Sequence, residues 1–199
     1  MSKSEDTKVL ILEAAKMEFM EKGYIDASLR SIARRINLTT GAIYTHFKDK
    51  NELFGALVDK VYSGMLKQFD LFEDDFFNRV NGKITKESME LDRDYALYFI
   101  NFVYDNFAET KLLICKAKGS KYENFANELI EKESRSSKRF LKLINLDNEV
   151  NNNFSHIIST AQFKAYFELV EHDIDREEAI NQTNRISKFF SEGWKTIVG

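Results

Sequence analysis

The stretch that decides the fold is ASLRSIARRINLTTGAIYTHFK, residues 27–48. Apolar side chains recur in it at helical spacing over Leu29–Ile36 and again over Thr40–Phe47. Ser28 and Thr39, the residues just before these two segments, belong to the types that cap helix N-termini. Two short helices joined by a tight turn cross at a steep angle. The pattern therefore predicts a helix-turn-helix unit.

The charge of this stretch sets it apart from the rest of the chain. It carries four cations and no carboxylate, the cations being Arg30, Arg34, Arg35 and Lys48. Residues 1–50 hold nine Lys or Arg against seven acids, whereas the remaining residues hold 20 against 25, and the whole chain has a net charge of −3. An acid-free basic segment on an acidic protein favours a surface that approaches phosphates. The alternative is a solvated charged face, above all for Arg35.

Composition indicates an all-α protein. The 199 residues are 43% apolar and include no Pro and only eight Gly, so the turn residues of an all-β protein are scarce. The single Cys115 excludes a disulfide framework, and we expect it to be a buried small side chain. The first ten residues contain no apolar leader, and no run of about 18 apolar residues occurs. These features predict a cytoplasmic protein without a membrane partner.

Helical periodicity continues on both sides of the opening stretch. A first helix is predicted over Thr7–Lys22, ended by Gly23, whose backbone tolerates the left-handed conformation. Asp49 and Glu52 form a cap for a long helix that reaches about Phe77. Asn81-Gly82 predicts a turn. Further helices are predicted at about 91–109, 111–118, 121–144, 152–172 and 176–198, which makes about nine in all.

The N-terminal residues resemble a known family. The Gly23-Tyr24 end of the first helix, followed by S-L-R-S-I-A-R-R-I-N-L-T-T-G-A-I-Y-T-H-F-K-D-K-N-E-L, is similar to the DNA-binding domain of TetR-family bacterial transcriptional regulators. The resemblance covers roughly residues 7–55. It implies a helix-turn-helix DNA-binding domain over residues 1–48 and a larger helical domain for effector binding and dimerisation over residues 49–199. Asn37 stands where Gly is frequent, and it is compatible because Asn tolerates the left-handed conformation.

In such a domain the third helix enters the major groove of DNA. Side chains at its start face the bases, which predicts base contacts from Thr40, Gly41, Ala42 and Thr45. Positions that touch phosphates in the family, together with the start of the preceding helix, complete the predicted DNA contacts: Ser28, Arg30, Thr39, Tyr44, His46 and Lys50. Three alternatives stay open. In the first, Tyr44 is a core aromatic; in the second, Gly41 is ordinary sequence variation; in the third, His46 is an exposed side chain that makes no DNA contact.

Aromatic residues are abundant in the C-terminal part, and the resemblance implies a cavity there. We expect a small apolar or aromatic effector to be bound by Tyr95, Phe99, Phe102, Phe125, Phe163, Tyr166 and Phe167. The alternative is that these rings are close-packed core. No cofactor and no metal are predicted.

The resemblance also implies a homodimer in which the last two helices pair with those of a second copy. The predicted interface residues are Phe154, Ile158, Ala161, Ala165, Ile186, Phe190, Gly193, Trp194 and Ile197. The alternative is that the apolar residues of these two helices are core of one chain.

The predicted function is a sequence-specific DNA-binding regulator, a repressor released from a palindromic operator by the effector. A second hypothesis is a DNA-binding regulator or architectural protein controlled by a protein partner, with no small ligand. The third is an all-α enzyme, which the sequence disfavours because His46, His156 and His172 lack metal-ligand spacing and no phosphate loop or nucleophile motif occurs. No catalytic residue is predicted.

Overall fold

A computed structural model of the chain describes residues 3–80, 86–146 and 152–198, and all regular structure in these ranges is helical. The predicted Asn81-Gly82 turn and most of the predicted loop before the eighth helix lie outside them. The described helices are α1 (Lys3–Asp26), α2 (Leu29–Arg35), α3 (Thr40–Tyr44), α4 (Lys50–Arg79), α5 (Lys86–Asp105), α6 (Phe107–Lys111), which continues as a π-helical turn (Leu112–Lys116), α7 (Phe125–Leu143), α8 (Asn152–Glu171) and α9 (Arg176–Val198). The prediction of an all-α chain with about nine helices is confirmed.

Two compact units divide the chain. The first unit comprises the residues up to Ser63 together with Ala108–Phe125, and the second comprises Gly64–Phe107 and the residues from Ala126 onward. The first unit is therefore larger than the predicted DNA-binding domain of residues 1–48. That functional boundary stays a prediction.

The core of the first unit follows the apolar stripes of α1 to α4. Ile11, Phe19, Ile32, Ile43 and Phe54 are fully buried in it. The rings of Phe19 and Phe54 meet edge to face with their centroids 5.0 Å apart, a favourable aromatic geometry. The apolar side of α1 is thus part of this core.

Gly23 interrupts α1 near its end, as predicted. Its φ of 74° lies in the left-handed region, where a side chain would be strained. The chain then returns toward α1, and Tyr24 stacks on Phe19 at a centroid distance of 5.9 Å.

In the second unit, α9 packs against α5 and α8. The Arg176 guanidinium at the start of α9 donates to the Asp105 carboxylate of α5 at 2.7 Å. The Tyr104 hydroxyl of α5 donates to the Ile174 carbonyl just before α9. These polar contacts fix the start of α9 against the end of α5. Within the part of the chain described, no helix is long and apolar enough to cross a bilayer.

Candidate functional site

Two hydroxyl groups begin the helices of the predicted DNA-binding unit. The Ser28 Oγ accepts from the Ser31 amide at 3.0 Å, and the Thr39 Oγ1 accepts from the Ala42 amide at 3.2 Å. Each hydroxyl satisfies one free amide of its helix and keeps its own proton. Both residues are exposed. They can therefore cap a helix and donate a hydrogen bond to an outside acceptor at the same time.

The turn between α2 and α3 has the predicted conformation. Asn37 adopts a φ of 54°, in the left-handed region that Asn tolerates better than most residues. The Leu38 amide then donates to the Ala33 carbonyl at 2.9 Å, which closes the end of α2. This short connection brings the start of α3 out to the surface beside α2.

The side chains of α3 divide into an inward and an outward set. Ile43 and the following Phe47 are buried, as predicted, while Tyr44 is 56% exposed. Tyr44 is therefore not the core aromatic of the alternative interpretation. Thr45 is exposed, and its hydroxyl donates to the Ala42 carbonyl at 2.8 Å, so its oxygen remains free to accept a hydrogen bond.

Gly41 lies on the outward side of α3. A Cβ added there would meet the Thr39 Oγ1 at 3.6 Å, an ordinary van der Waals distance. The packing of the protein therefore does not require glycine at this position. Thr40, Ala42 and His46 are half-buried beside it.

The arginines of α2 have different surroundings. Arg30 and Arg34 are exposed, form no ion pair with any described residue, and border a shallow depression that Thr39 and Thr40 also line. Arg35 instead donates from Nε to the Glu18 carboxylate at 3.0 Å and also pairs with Glu21. Arg30 and Arg34 are thus available to an outside anion, whereas Arg35 ties α2 to α1.

Glu18, the partner of Arg35, is fully buried, which no pattern in the sequence indicated. Its carboxylate also accepts from the Lys22 Nζ at 2.7 Å and from the Ser31 Oγ at 3.0 Å. Burial alone raises the pKa of Glu18, but the hydrogen bonds from Lys22, Ser31 and Arg35 outweigh it and lower the pKa below its ordinary value. The buried carboxylate is therefore ionised and holds α1 and α2 together.

The Lys50 ammonium is not free, although a residue that contacts phosphate would be expected to have a free one. Its ammonium donates to the carbonyls of Tyr24, Ile25 and Ala27 at 2.7, 3.2 and 3.1 Å. It also lies 4.4 Å from the centre of the Tyr24 ring. All three protons are used, and burial lowers the pKa of the ammonium. In this arrangement Lys50 closes the end of α1.

The second unit contains a cavity of about 210 Å³. Of the residues predicted to bind an effector, Tyr95, Phe99, Phe163 and Tyr166 line it. The other aromatic lining residues are Phe69, Phe72, Phe76, Phe140, Phe190 and Trp194. Phe190 and Trp194, predicted for a dimer interface, thus face this cavity.

The other three predicted effector residues lie elsewhere. Phe102 packs against the backbone at Gly64, where an added Cβ would come within 2.9 Å of its ring. Phe125 belongs to the first unit and contacts the Tyr62 ring at a centroid distance of 5.4 Å. Phe167 is buried against Phe163 but does not line the cavity. Effector binding by these residues stays a prediction without a cavity to support it.

Three carboxylates line the same cavity, and none was predicted to belong to a site: Glu73, Asp92 and Glu133. Burial raises the pKa of Asp92 to about 6. Burial, and then the nearby Asp92 charge, raise the pKa of Glu133 to about 7. A signal was present in the sequence, because Asp92 falls on the face of α5 that carries Tyr95 and Phe99.

Large apolar side chains of α8 and α9 remain exposed in the single chain. Ile157 is 60% exposed and Phe189 is 73% exposed, and neither was among the predicted interface residues. Of those that were, Ala161, Gly193 and Ile197 are exposed, and Phe154, Ile158, Ala165 and Ile186 are half-buried. A Cβ at Gly193 would have no described atom within 4 Å. The dimer interface itself stays a prediction.

Comparison with known proteins finds a family likeness in the N-terminal region. Residues 11–57 match the family model described as bacterial regulatory proteins, tetR family. Over 65 residues the chain is 42% identical to the uncharacterized HTH-type transcriptional regulator YhgD of Bacillus subtilis, which is 33% of this chain and 32% of that protein. Over 59 residues it is 39% identical to the HTH-type transcriptional regulator TtgR of Pseudomonas putida, which is 30% and 28% of the two chains.

These matches span about a third of each relative's length. Over almost the whole chain, the fold is similar to a TetR-like transcriptional regulator from Rhodococcus sp. RHA1, with a TM-score of 0.58, 16% identity and coverage of 97% of this chain and 96% of that one. At that identity the likeness concerns the fold alone. Residues 11–57, with their capped α2, left-handed turn and outward-facing α3, are similar to the tetR family of bacterial regulatory proteins.

Proposed function

We propose that the protein is a sequence-specific DNA-binding regulator of the bacterial cytoplasm, a homodimeric repressor that a small molecule releases from a palindromic operator. The observation that carries this proposal is the outward surface of α3. It offers the Thr45 oxygen, the exposed backbone of Gly41 and no carboxylate, with the unpaired Arg30 and Arg34 beside it. Such a surface suits base edges flanked by phosphates.

The proposed contacts divide into two groups. Thr40, Gly41, Ala42 and Thr45 face the bases, where short side chains give hydroxyl and methyl contacts. Ser28, Arg30, Thr39, Tyr44 and His46 face the sugar-phosphate backbone, to which we add Arg34. We leave Lys50 out of this set, because its ammonium already donates to three carbonyls.

A two-fold dimer completes the proposal. It would place the two copies of α3 about 34 Å apart, in successive major grooves. The exposed Ile157 and Phe189 support α8 and α9 as the paired surface, because they are the two most exposed large apolar side chains in the described part of the chain.

The cavity supports control by a small molecule over control by a protein partner, since the latter hypothesis predicts a filled C-terminal core. A ligand that binds better to a geometry with the wrong α3 spacing shifts the population toward that geometry. DNA affinity then falls by the same factor as DNA weakens ligand binding.

Selection of bound duplexes from a random pool tests the DNA-binding part. With the full chain we expect a palindromic consensus with half-sites one helical turn apart. Thr40→Ala and Thr45→Ala should change the preferred bases. Ser63→Ala is the matched control, since the Ser63 hydroxyl is exposed and also donates to a carbonyl of its own helix. No preference for any duplex over scrambled DNA would overturn the proposal.

Sedimentation tests the dimer. Phe189→Asp places a charge on the proposed interface and should give monomers at concentrations where the parent protein is dimeric. Leu71→Asp is the control, because Leu71 is equally a large exposed apolar residue but lies on α4. A Phe189→Asp protein that stays dimeric would remove α9 from the interface.

A further inference from the structure

We propose that the cavity of the second unit is a binding site for an organic cation, such as a substituted ammonium group carried on an aromatic or aliphatic body. This inference deepens the proposed function, since it names the chemical class of the small molecule. It rests on the aromatic wall of the cavity, on two carboxylates that face it without a cationic partner, and on an unpartnered hydroxyl.

Aromatic rings make up most of the cavity wall. Ten of the lining residues are Phe, Tyr or Trp, and several are held in fixed orientations by their neighbours. Phe72 stacks on Tyr95 at a centroid distance of 4.6 Å, and the Tyr95 hydroxyl donates to the Asp75 carboxylate at 2.6 Å. Ring faces attract cations because their quadrupole is negative at the face. A wall of this kind binds an apolar cation better than a hydrated one.

Asp92 on α5 and Glu133 on α7 give the cavity its charge. Their described hydrogen-bond partners are hydroxyl groups, the Ser191 Oγ at 3.4 Å from Asp92 and the Ser137 Oγ at 3.1 Å from Glu133. No Lys, Arg or His is among the residues that line the cavity. Glu73 differs, since an Arg139 nitrogen lies 3.7 Å from its carboxylate. Two negative charges are therefore left for a ligand to neutralise.

The electrostatics of the cavity agree with this assignment. Asp92 and Glu133 are half-buried, so their carboxylates lose part of their hydration, and two carboxylates in one cavity also repel each other. Both effects raise the pKa of Glu133. A bound cation removes the repulsion and replaces part of the lost hydration, whereas a neutral ligand does neither and an anion adds to the repulsion.

The Tyr166 hydroxyl is a polar feature of the cavity wall that is independent of the two carboxylates. Tyr166 lines the cavity and is more than nine-tenths buried. Its hydroxyl has no hydrogen-bond partner of acceptable geometry among the described residues, although Gln162 lies one turn before it in α8. Buried hydroxyls normally have a partner. A polar ligand in the cavity would supply the partner that this hydroxyl lacks.

Size and arrangement favour an organic cation over a metal ion. An apolar cavity of about 150 Å³ holds a benzene molecule, so about 210 Å³ leaves room for a ring and a small head group. In the described part of the chain, no group of three or more His, Cys, Asp or Glu side chains is placed to hold a metal.

A pair of isosteric probes tests the proposal on the full chain at pH 8. Benzyltrimethylammonium and neopentylbenzene have the same shape, but only the first is charged. Trp194 is the single tryptophan of the chain and lines the cavity, so its fluorescence reports binding of either probe. We expect benzyltrimethylammonium to bind at least roughly tenfold more tightly than neopentylbenzene.

Variants test which carboxylates bind the charged probe. Asp92→Asn and Glu133→Gln should each weaken benzyltrimethylammonium binding by roughly tenfold and leave neopentylbenzene binding unchanged. Asp94→Asn and Glu131→Gln are matched controls, because these exposed carboxylates lie two residues away on the same helices and do not line the cavity. Circular dichroism establishes that each variant is folded.

The outcomes separate this inference from the proposed function. Equal binding of the two probes, no binding of either at millimolar concentration, or unchanged binding in both folded variants would each overturn the cation site, whatever the protein does with DNA. If benzyltrimethylammonium binds as expected but no duplex is preferred, the cation site stands and the proposed regulator fails.

Discussion

Gly41 is a residue whose identity the protein's own packing does not explain. Gly is less favourable than Ala in a helix by up to about 1 kcal/mol, and an added Cβ would meet only the Thr39 hydroxyl at an ordinary distance. We expect Gly41→Ala to leave the free energy of unfolding unchanged or to raise it by up to about 1 kcal/mol. DNA affinity should fall, because the backbone can no longer approach the bases as closely.

Chemical denaturation and a duplex-binding titration measure the two effects on Gly41→Ala. The expected result is a stable protein with weakened operator binding. Unchanged binding would assign Gly41 to ordinary sequence variation and remove it from the proposed contacts.

Lys50 gives a second prediction at the scale of a single residue. Lys50→Met keeps an unbranched side chain of nearly the same length but leaves three carbonyls near the end of α1 without their donor. Unfolding free energy should fall by about 1 to 3 kcal/mol. Lys48→Met is the control, since Lys48 is exposed and close by, and it should have little effect. A stable Lys50→Met protein with weak DNA binding would restore Lys50 to the phosphate contacts.

At the scale of elements, Glu18 joins α1 to α2. Glu18→Gln removes the charge that Lys22, Ser31 and Arg35 share, and we expect it to lower the free energy of unfolding at pH 7 by about 1 to 3 kcal/mol. Because the pKa of Glu18 is lower in the folded than in the unfolded protein, the stabilisation is present above about pH 4 and is lost as the pH falls further.

Thermal unfolding of Glu18→Gln between pH 3 and pH 7 measures this effect. Glu21→Gln is the control, since Glu21 also pairs with Arg35 but is half exposed, so its loss should matter by less than about 1 kcal/mol. Equal stability of the Glu18→Gln and parent proteins at pH 7 would contradict the role of Glu18.

Local sequence signals predicted the break in α1 and the starts of α2, α3 and α4, whereas the starts of α1, α5 and α7 differ from the prediction by about four residues. Ser28 and Thr39 cap α2 and α3, Gly23 takes the left-handed conformation, and the Glu52 amide donates to Asp49 while its carboxylate accepts from the Lys48 amide. Each of these signals depends on neighbours within four residues. That is the range over which a sequence determines its own backbone.

The orientation of the last two helices was less predictable. Their apolar spacing placed Ile158 and Ile186 among the residues predicted to meet a second copy. Both are half-buried, whereas Ser155, Ser159 and Ser187 are the buried residues nearby. Small hydroxyl side chains fit where helices approach closely, but they look polar in a hydrophobicity pattern. The exposure of Phe189 was also missed. The spacing of apolar residues does not tell whether an apolar side chain faces its own chain or the surface.

At the scale of the whole molecule, the cavity carboxylates oppose stability. Their pKa values of about 6 and about 7 exceed those of unfolded Asp and Glu, so the folded protein binds more protons and loses stability as the pH rises from about 4 to about 7. Asp92→Asn or Glu133→Gln should therefore raise the free energy of unfolding at pH 8 by roughly 1 to 3 kcal/mol. At pH 5 the effect should be smaller, because the folded protein still holds most of these protons.

Urea denaturation at pH 5 and pH 8 measures this difference. Asp94→Asn should show no comparable pH dependence, because its carboxylate is exposed. A loss of stability at pH 8 in both cavity variants would contradict the assignment of these carboxylates as buried and unpaired.

The sequence predicted the DNA-facing surface more completely than the cavity. α3 and its caps come from one continuous stretch, so their arrangement follows from local rules. The cavity takes side chains from α4, α5, α7, α8 and α9, and which faces meet depends on packing between distant segments. Tyr95 and Phe163 were predicted, because large rings stand out in any sequence. Asp92 and Glu133 were not, since most acidic residues are on the surface.

The two capping hydroxyls limit how this protein can evolve. Ser28 and Thr39 each begin a helix with the oxygen that, in the proposed role, also meets the DNA backbone. Ala at either position would lower the stability of the helix start by about 0.5 to 2 kcal/mol, and Asp would preserve the cap but repel phosphate. Ser, Thr and Asn are the residues that satisfy both demands. Substitutions at Thr40 or Thr45 can therefore change the preferred operator, whereas positions 28 and 39 accept only Ser, Thr or Asn.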